Sequence, residues 1–161
     1  GDGVGDTAVS DTDDDTVTEL PDITPIITAV PNVMYGPTDF YVTVRITELN
    51  FVDTDGLITV RIPKDNRWVF DGPYDPNLTL LGSTDLNNID WTYFDNATHH
   101  IFTSTTVIPA GSYSYFGFNT SWDSLQTTGI YTITSQIDSY SGGEERIDNN
   151  VDAEKLDYFI E

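Results

Sequence analysis

The chain has 161 residues, of which 27 are Asp or Glu and only 6 are Lys or Arg, giving a formal charge of −21. Arg45, Arg61, Lys64, Arg67, Arg146 and Lys155 cannot assemble a basic surface, which excludes binding to a nucleic-acid backbone and attraction to an anionic membrane. No apolar run approaches the ~20 residues of a membrane span, and the absence of Cys removes disulfides, thiolate metal sites and cysteine nucleophiles together.

The acidity is concentrated at the start. Asp2, Asp6, Asp11, Asp13, Asp14, Asp15, Glu19 and Asp22 crowd a segment with no Lys, Arg or aromatic residue. Like charges so close repel, so order there requires cations; the alternative is a solvated acidic linker. Asp11, Asp13 and Asp15 stand at alternate positions, as do the first, third and fifth ligands of a calcium loop, and Glu19 and Asp22 then fall at its ninth and twelfth places. Thr16 occupies the sixth place, where such loops turn on Gly. Upstream, Asp2-Gly3-Val4-Gly5-Asp6 reads as the second half of another loop, with Asp2 fifth and Asp6 ninth and its first two ligand positions before Gly1. Asp outnumbers Glu 21 to 6 over the whole chain, and Asp is the shorter side chain suited to turns and metal loops. The expected Ca2+ ligands are therefore Asp2, Asp6, Asp11, Asp13, Asp15, Glu19 and Asp22. This run resembles the Asp-rich calcium repeats of thrombospondin type 3, a likeness that implies a linker between folded modules of a bacterial surface protein. With Gly at position 1 and no signal-peptide pattern, the chain is expected to be a processed product or an excised piece of something larger.

From position 23 to 161 one domain is expected, with a core of its own. The segment is rich in Thr, Tyr, Val, Ile and Phe, and Gly, Pro, Asn or Asp interrupts it every ~8–12 residues, as in all-β proteins. A strand is expected over 23–30. Phe40, Val42, Val44 and Ile46 alternate with Tyr41, Thr43, Arg45 and Thr47, and Ile58, Val60 and Ile62 with Thr59 and Arg61, which gives one buried and one wet face at period two. Further strands are expected near 67–70, 78–81, 89–94, 99–108, 113–120, 130–138 and 153–160, and no stretch carries a helical apolar period. Tyr35-Gly36-Pro37, Asp53-Thr54-Asp55-Gly56, Asp71-Gly72-Pro73, Pro109-Ala110-Gly111 and Ser141-Gly142-Gly143 supply the turns. Short antiparallel strands in this number point to an all-β, two-sheet sandwich.

Pro31 to Gly36 before the strand Phe40–Ile46, then Ile108-Pro109-Ala110-Gly111, Gly129-Ile130-Tyr131-Thr132-Ile133, and Glu144 to Asn150 before the last strand, look in that order like the CARDB-type immunoglobulin-like modules of bacterial surface proteins. The resemblance implies an immunoglobulin-like antiparallel β-sandwich in an extracellular or cell-surface adhesin, and no catalysis.

The residue inventory agrees with a non-enzyme. His99 and His100 are the only histidines, and as strand neighbours they face opposite ways, so at most one could enter a hydrolytic site. Paired carboxylates carry no signal among so many acids. Trp68, Trp91, Trp122, Tyr113 and Tyr115 could form a stacking platform for sugar rings. Trp91, Phe116 and Phe118 are expected in the core, while Trp122, in the polar run Asn119-Thr-Ser-Trp-Asp, is expected to be exposed. Asp53 with Asp55, and Glu144, Glu145, Asp148 and Asp152, are further acidic groups to test for ions. Asn77, Asn96 and Asn119 head N-glycosylation sequons, and Asp6-Thr7-Ala8, Asp15-Thr16-Val17 and Asp123-Ser124-Leu125 match a short O-glycosylation pattern of Bacteroidetes proteins.

These residues point to a non-enzymatic structural or adhesive surface module stiffened by calcium. Its expected partners are neighbouring modules of the same chain or identical subunits, with surface glycans as a further class, and neither nucleic acid nor inserted membrane. The alternatives are a self-assembling filament subunit, in which a neighbour accepts the strand Leu156–Ile160, and a carbohydrate-binding module.

Overall fold

Alternating side chains decide most of the strands, because a period of two lets one face be buried while the other meets water. In a computed structural model, which describes residues 19–160, the order is β1 (Ile23–Val30), β2 (Val33–Tyr35), β3 (Thr38–Glu48), β4 (Ile58–Pro63), β5 (Trp68–Phe70), β6 (Leu80–Leu81), β7 (Thr84–Asp85), β8 (Thr92–Asp95), β9 (His99–Ser104), β10 (Tyr113–Trp122), β11 (Gly129–Ile137) and β12 (Val151–Phe159). Two short 3-10 turns, Asn88–Asp90 and Ser141–Gly143, are the only helical elements among the described residues.

One sheet has the order β1-β3-β10-β5 and the other β2-β12-β11-β4-β9-β8, while β6 and β7 form a separate small hairpin. All pairings are antiparallel except β2 with β12, which is parallel. The protein is an all-β sandwich of immunoglobulin-like type. Val42, Val44 and Ile46 from β3, Ile58, Val60 and Ile62 from β4, and Ile133, Ile137 and Leu156 from β11 and β12 fill the space between the sheets. Phe102 stacks on Phe116 at 4.2 Å between ring centres, and Phe118 stacks on Phe70 at 4.4 Å, so aromatic rings dominate the end near β5 and β9.

The strand expected near 89–94 begins as the 3-10 turn and is strand only from Thr92, and β2 and β7 have no counterpart among the expected strands. Both are too short to show a period. Trp122 is a clear correction, being only 2% exposed. It ends a strand whose inward positions are Phe116, Phe118 and Thr120, and it packs on Tyr131 and Tyr158 at 5.6 and 5.2 Å, with the Arg67 guanidinium 5.6 Å from its ring. Carried two steps beyond Phe118, the period-two pattern would have placed it inside; the polar neighbours Asn119 and Ser121 belong to the opposite face.

The segment 87–88 completes β10 where β5 is too short to reach. Asn87 accepts from the Tyr115 N–H through its side chain and donates its backbone N–H to Tyr115, while Asn88 accepts the Gly117 N–H and donates to the Gly117 carbonyl, both at 2.9 Å. A side chain at Gly117 would strike the Val42 carbonyl and Leu81, each 2.9 Å from the added carbon.

Candidate functional site: the carboxylate junction where the acidic arm enters

Five buried or half-buried acidic and amide residues gather where the chain enters the sandwich. Glu48, at the end of β3, is 1% exposed and accepts four backbone N–H groups: Asp22 at 3.2 Å, Asn50 at 2.7 Å, Val52 at 3.0 Å and Gly111 at 2.8 Å. Burial alone would raise its pKa, but the four donors outweigh burial and hold it below the ordinary value. Glu48 thus ties together the entry segment, the loop after β3 and the turn before β10.

Asp22 is 6% exposed, and both its oxygens are engaged. Arg146 donates to one at 3.2 Å and the Asn149 amide to the other at 3.0 Å. Its carbonyl accepts from the Leu49 N–H at 2.7 Å, and Asn50 donates to the Leu20 carbonyl at 2.9 Å. The chain is therefore clamped on both sides as it passes from residue 20 into β1.

Behind Asp22 lies Glu144, with no exposed surface. It accepts from the Ile23 N–H at 3.1 Å and from the Asn150 amide. Burial pushes its pKa up to about 7; the Ile23 and Asn150 donors oppose that shift and the Asp22 charge adds to it. The side-chain oxygens of Asn149 and Asn150 are both buried without a partner, an unusual condition for acceptors beside carboxylates.

Of the expected calcium ligands, Asp2, Asp6, Asp11, Asp13 and Asp15 lie outside the described residues. Glu19 is exposed. Among the described residues, no group of three or more His, Asp or Glu is arranged to hold a metal ion. Asp53 accepts from the Ala110 N–H at 2.8 Å, so it serves as a loop brace. Glu144, Glu145, Asp148 and Asp152 do not converge: Glu145 and Asp148 are exposed, and Asp152 accepts the Ile27 N–H at 2.9 Å.

The aromatic platform is not present in its expected form, since Trp68, Trp91 and Trp122 are each 2% exposed. Tyr113 and Tyr115 meet edge to face at 81°, which denies a ligand a common plane. Within the chain, β12 pairs with β11 along Val151–Tyr158 and with β2 at Asp157–Phe159. Asn77, Asn96 and Asn119 are exposed, whereas Ser124 is 4% exposed.

No protein-family model and no curated protein matches the chain. Solved structures share its fold. The crystal structure of the CARDB domain of a Pyrococcus furiosus protein, in complex with di-metal ions, aligns with a TM-score of 0.52 at 18% identity, over 91% of this chain and 100% of that one. The solution structure of the same domain gives 0.50 at 17% identity over 89% and 100%. A cohesin module from a Clostridium perfringens family 33 glycoside hydrolase gives 0.53 at 10% identity, also over 89% and 100%. The sandwich thus has the fold of CARDB and cohesin modules. Among the described residues, no helix is long and apolar enough to cross a membrane.

Proposed function

We propose that this chain is a non-enzymatic structural and adhesive module of a bacterial cell-surface or secreted protein, of CARDB type, whose acidic arm binds calcium and becomes a spacer of fixed reach. The observation that carries this reading is the clamp at the arm's end. Asp22 is held by Arg146 and Asn149, and its backbone is held by Glu48 and Leu49. A linker stiffened by ions transmits direction only if its last residue is fixed to the body it carries, and the Asp22 anchor supplies that condition. Calcium neutralises clustered carboxylates through several oxygens at once, and the alternating aspartates upstream offer that donor set.

A non-catalytic role is supported by the histidines. His100 Nδ1 is engaged by the Tyr93 hydroxyl at 2.7 Å, and His99 Nδ1 meets the neighbouring Thr98 hydroxyl at 2.8 Å; neither is oriented by a carboxylate toward a nucleophile.

Calorimetric titration with calcium, combined with limited proteolysis in calcium and in chelator, tests the proposal. Cleavage within residues 1–18 is expected to be slowed by calcium while the sandwich remains intact in both conditions, and replacing Asp11, Asp13 and Asp15 together by Ala is expected to abolish the heat of binding. Identical cleavage with and without chelator overturns the reading.

A further inference from the structure

The flank of the sandwich farthest along the sheets from β1 holds a groove of about 660 Å³ between the edge strands β5 and β8, lined by Phe70, Tyr74, Ile89, Thr92, Tyr93 and His100. Its size and its mostly apolar walls with a few polar groups are those of a small-ligand site. Phe70 stacks on His100 at 4.5 Å and lies 4.9 Å from Tyr93, and Tyr74 lies 5.9 Å from Tyr93, so the floor is a continuous run of rings. Ile89, at the lip, is 70% exposed.

His100 is 7% exposed, yet only one of its nitrogens has a partner among the described residues. Nδ1 pairs with the Tyr93 hydroxyl, and Nε2 has none. Burial, assisted by Lys64 and His99 and opposed by Asp95, lowers its pKa to about 4, so the ring is neutral at physiological pH. Two tautomers satisfy the Tyr93 contact. In one, Nε2 carries a hydrogen in need of an acceptor; in the other, it is a bare lone pair in need of a donor. Nε2 keeps contact with solvent at the groove, so a ligand that displaces its water must offer a hydrogen bond in return, which a purely apolar ligand does not.

Charge narrows the ligand further. Asp95 lines the groove, and the charges of Asp75 and Asp90 act on Tyr74 as Asp95 does on Tyr93, in each case adding to burial in raising the phenol pKa. Lys64, the base at this end, is already paired with Asp95. Phosphates, sulfates and carboxylates are repelled. A hydroxyl both donates and accepts, so it completes either tautomer of His100; an ammonium or guanidinium group can only donate and completes one. A pyranose ring combines such hydroxyls with an apolar face suited to stacking on Tyr74 and Tyr93. From these observations we infer that the β5–β8 groove is a binding site for a neutral saccharide, with Tyr74 and Tyr93 as the stacking surface and His100 Nε2 as the polar contact.

Because the chain has only two histidines, their ring signals in NMR spectra of the full chain at neutral pH distinguish groove from surface. The probes are cellotetraose, xylotetraose and mannotetraose, with 3′-sialyllactose as the anionic and tetralysine as the cationic comparison. At least one neutral tetrasaccharide is expected to shift the His100 signals and leave those of His99 in place, while sialyllactose has no effect. His100→Phe keeps the ring stacking and is expected to weaken binding about tenfold, as for one lost hydrogen bond. Thr92→Arg, at an exposed wall position that leaves the core intact, is expected to abolish it, and Tyr113→Ala, outside the groove, to leave it unchanged. The inference is overturned if none of the three neutral sugars shifts His100, if tetralysine alone does so, or if sugar binding survives Thr92→Arg undiminished.

Discussion

Along one flank of the sandwich, β1 turns its free edge toward β12. The N–H groups of Ile23, Ile27 and Ala29 are accepted by Glu144, Asp152 and Glu154 at 3.1, 2.9 and 3.2 Å, and Pro25, between them, has no N–H to offer. Along the other flank, β5 and β8 end their sheets beside rings, and a groove remains. An unpaired strand edge invites association with another chain. The first flank answers with carboxylates that satisfy its donors one by one; the second leaves room for a ligand. The contrast also gives part of the acidity a structural use, since Glu48, Asp53, Glu144, Asp152 and Glu154 all spend oxygens on backbone N–H groups.

The largest effect expected on this contrast comes from Glu48→Ala, which strands four N–H groups at the end of the sealed flank. A loss of about 4 kcal/mol is expected in urea unfolding, at roughly 1 kcal/mol for each donor. A loss no greater than that of an ordinary surface substitution would show that water replaces the carboxylate without penalty.

The two flanks should also respond to pH with opposite sign. Glu144 has its pKa raised from 4.5 to about 7 in the folded chain, so its contribution is fully present below 4.5 and is lost as pH rises through 7. His100 has its pKa lowered from 6.5 to about 4, so its contribution is present above 6.5 and is lost as pH falls through 4. Glu144→Gln is therefore expected to compare more favourably with the natural chain at pH 8 than at pH 4.5, by something on the order of 3 kcal/mol. An equal difference at the two pH values would refute the burial argument.

Asp152→Ala unseals a single donor, that of Ile27, at a half-buried edge, and an effect of about 1–2 kcal/mol is expected. Amide exchange at Ile27 should accelerate while that at Val44, in the core of β3, is unchanged. Smallest of all is Ile89→Ala at the lip of the groove, which should alter stability by no more than about 0.5 kcal/mol because the side chain is mostly in water already. A larger change would mean that Ile89 holds the groove together rather than bordering it.

Much of the fold is legible in the chain because alternation is a local signal. Phe40 to Ile46 and Ile58 to Ile62 announce both their strands and their buried faces, and all seven of these apolar positions lie in the core. Trp122 was misplaced because its polar sequence neighbours outweighed a period that begins six residues earlier. The site was less readable. That Asp22 meets Arg146 and Asn149 depends on residues 124 and 127 positions away, and no spacing rule links them. Nor does anything local to Tyr93 and His100 show that β5 stops short and leaves a groove above them.

What composition and periodicity determined alone is the class of molecule: a strongly acidic, cysteine-free chain of short alternating strands, with aspartates concentrated in its first 22 residues. Those properties follow from charge and from the geometry of neighbouring residues. Only the tertiary structure decided which carboxylates became braces for the backbone, that all three tryptophans went inside, and where a histidine nitrogen was left facing a groove. Each of these depends on how two sheets meet, and that meeting is set by the packing of residues far apart in the chain.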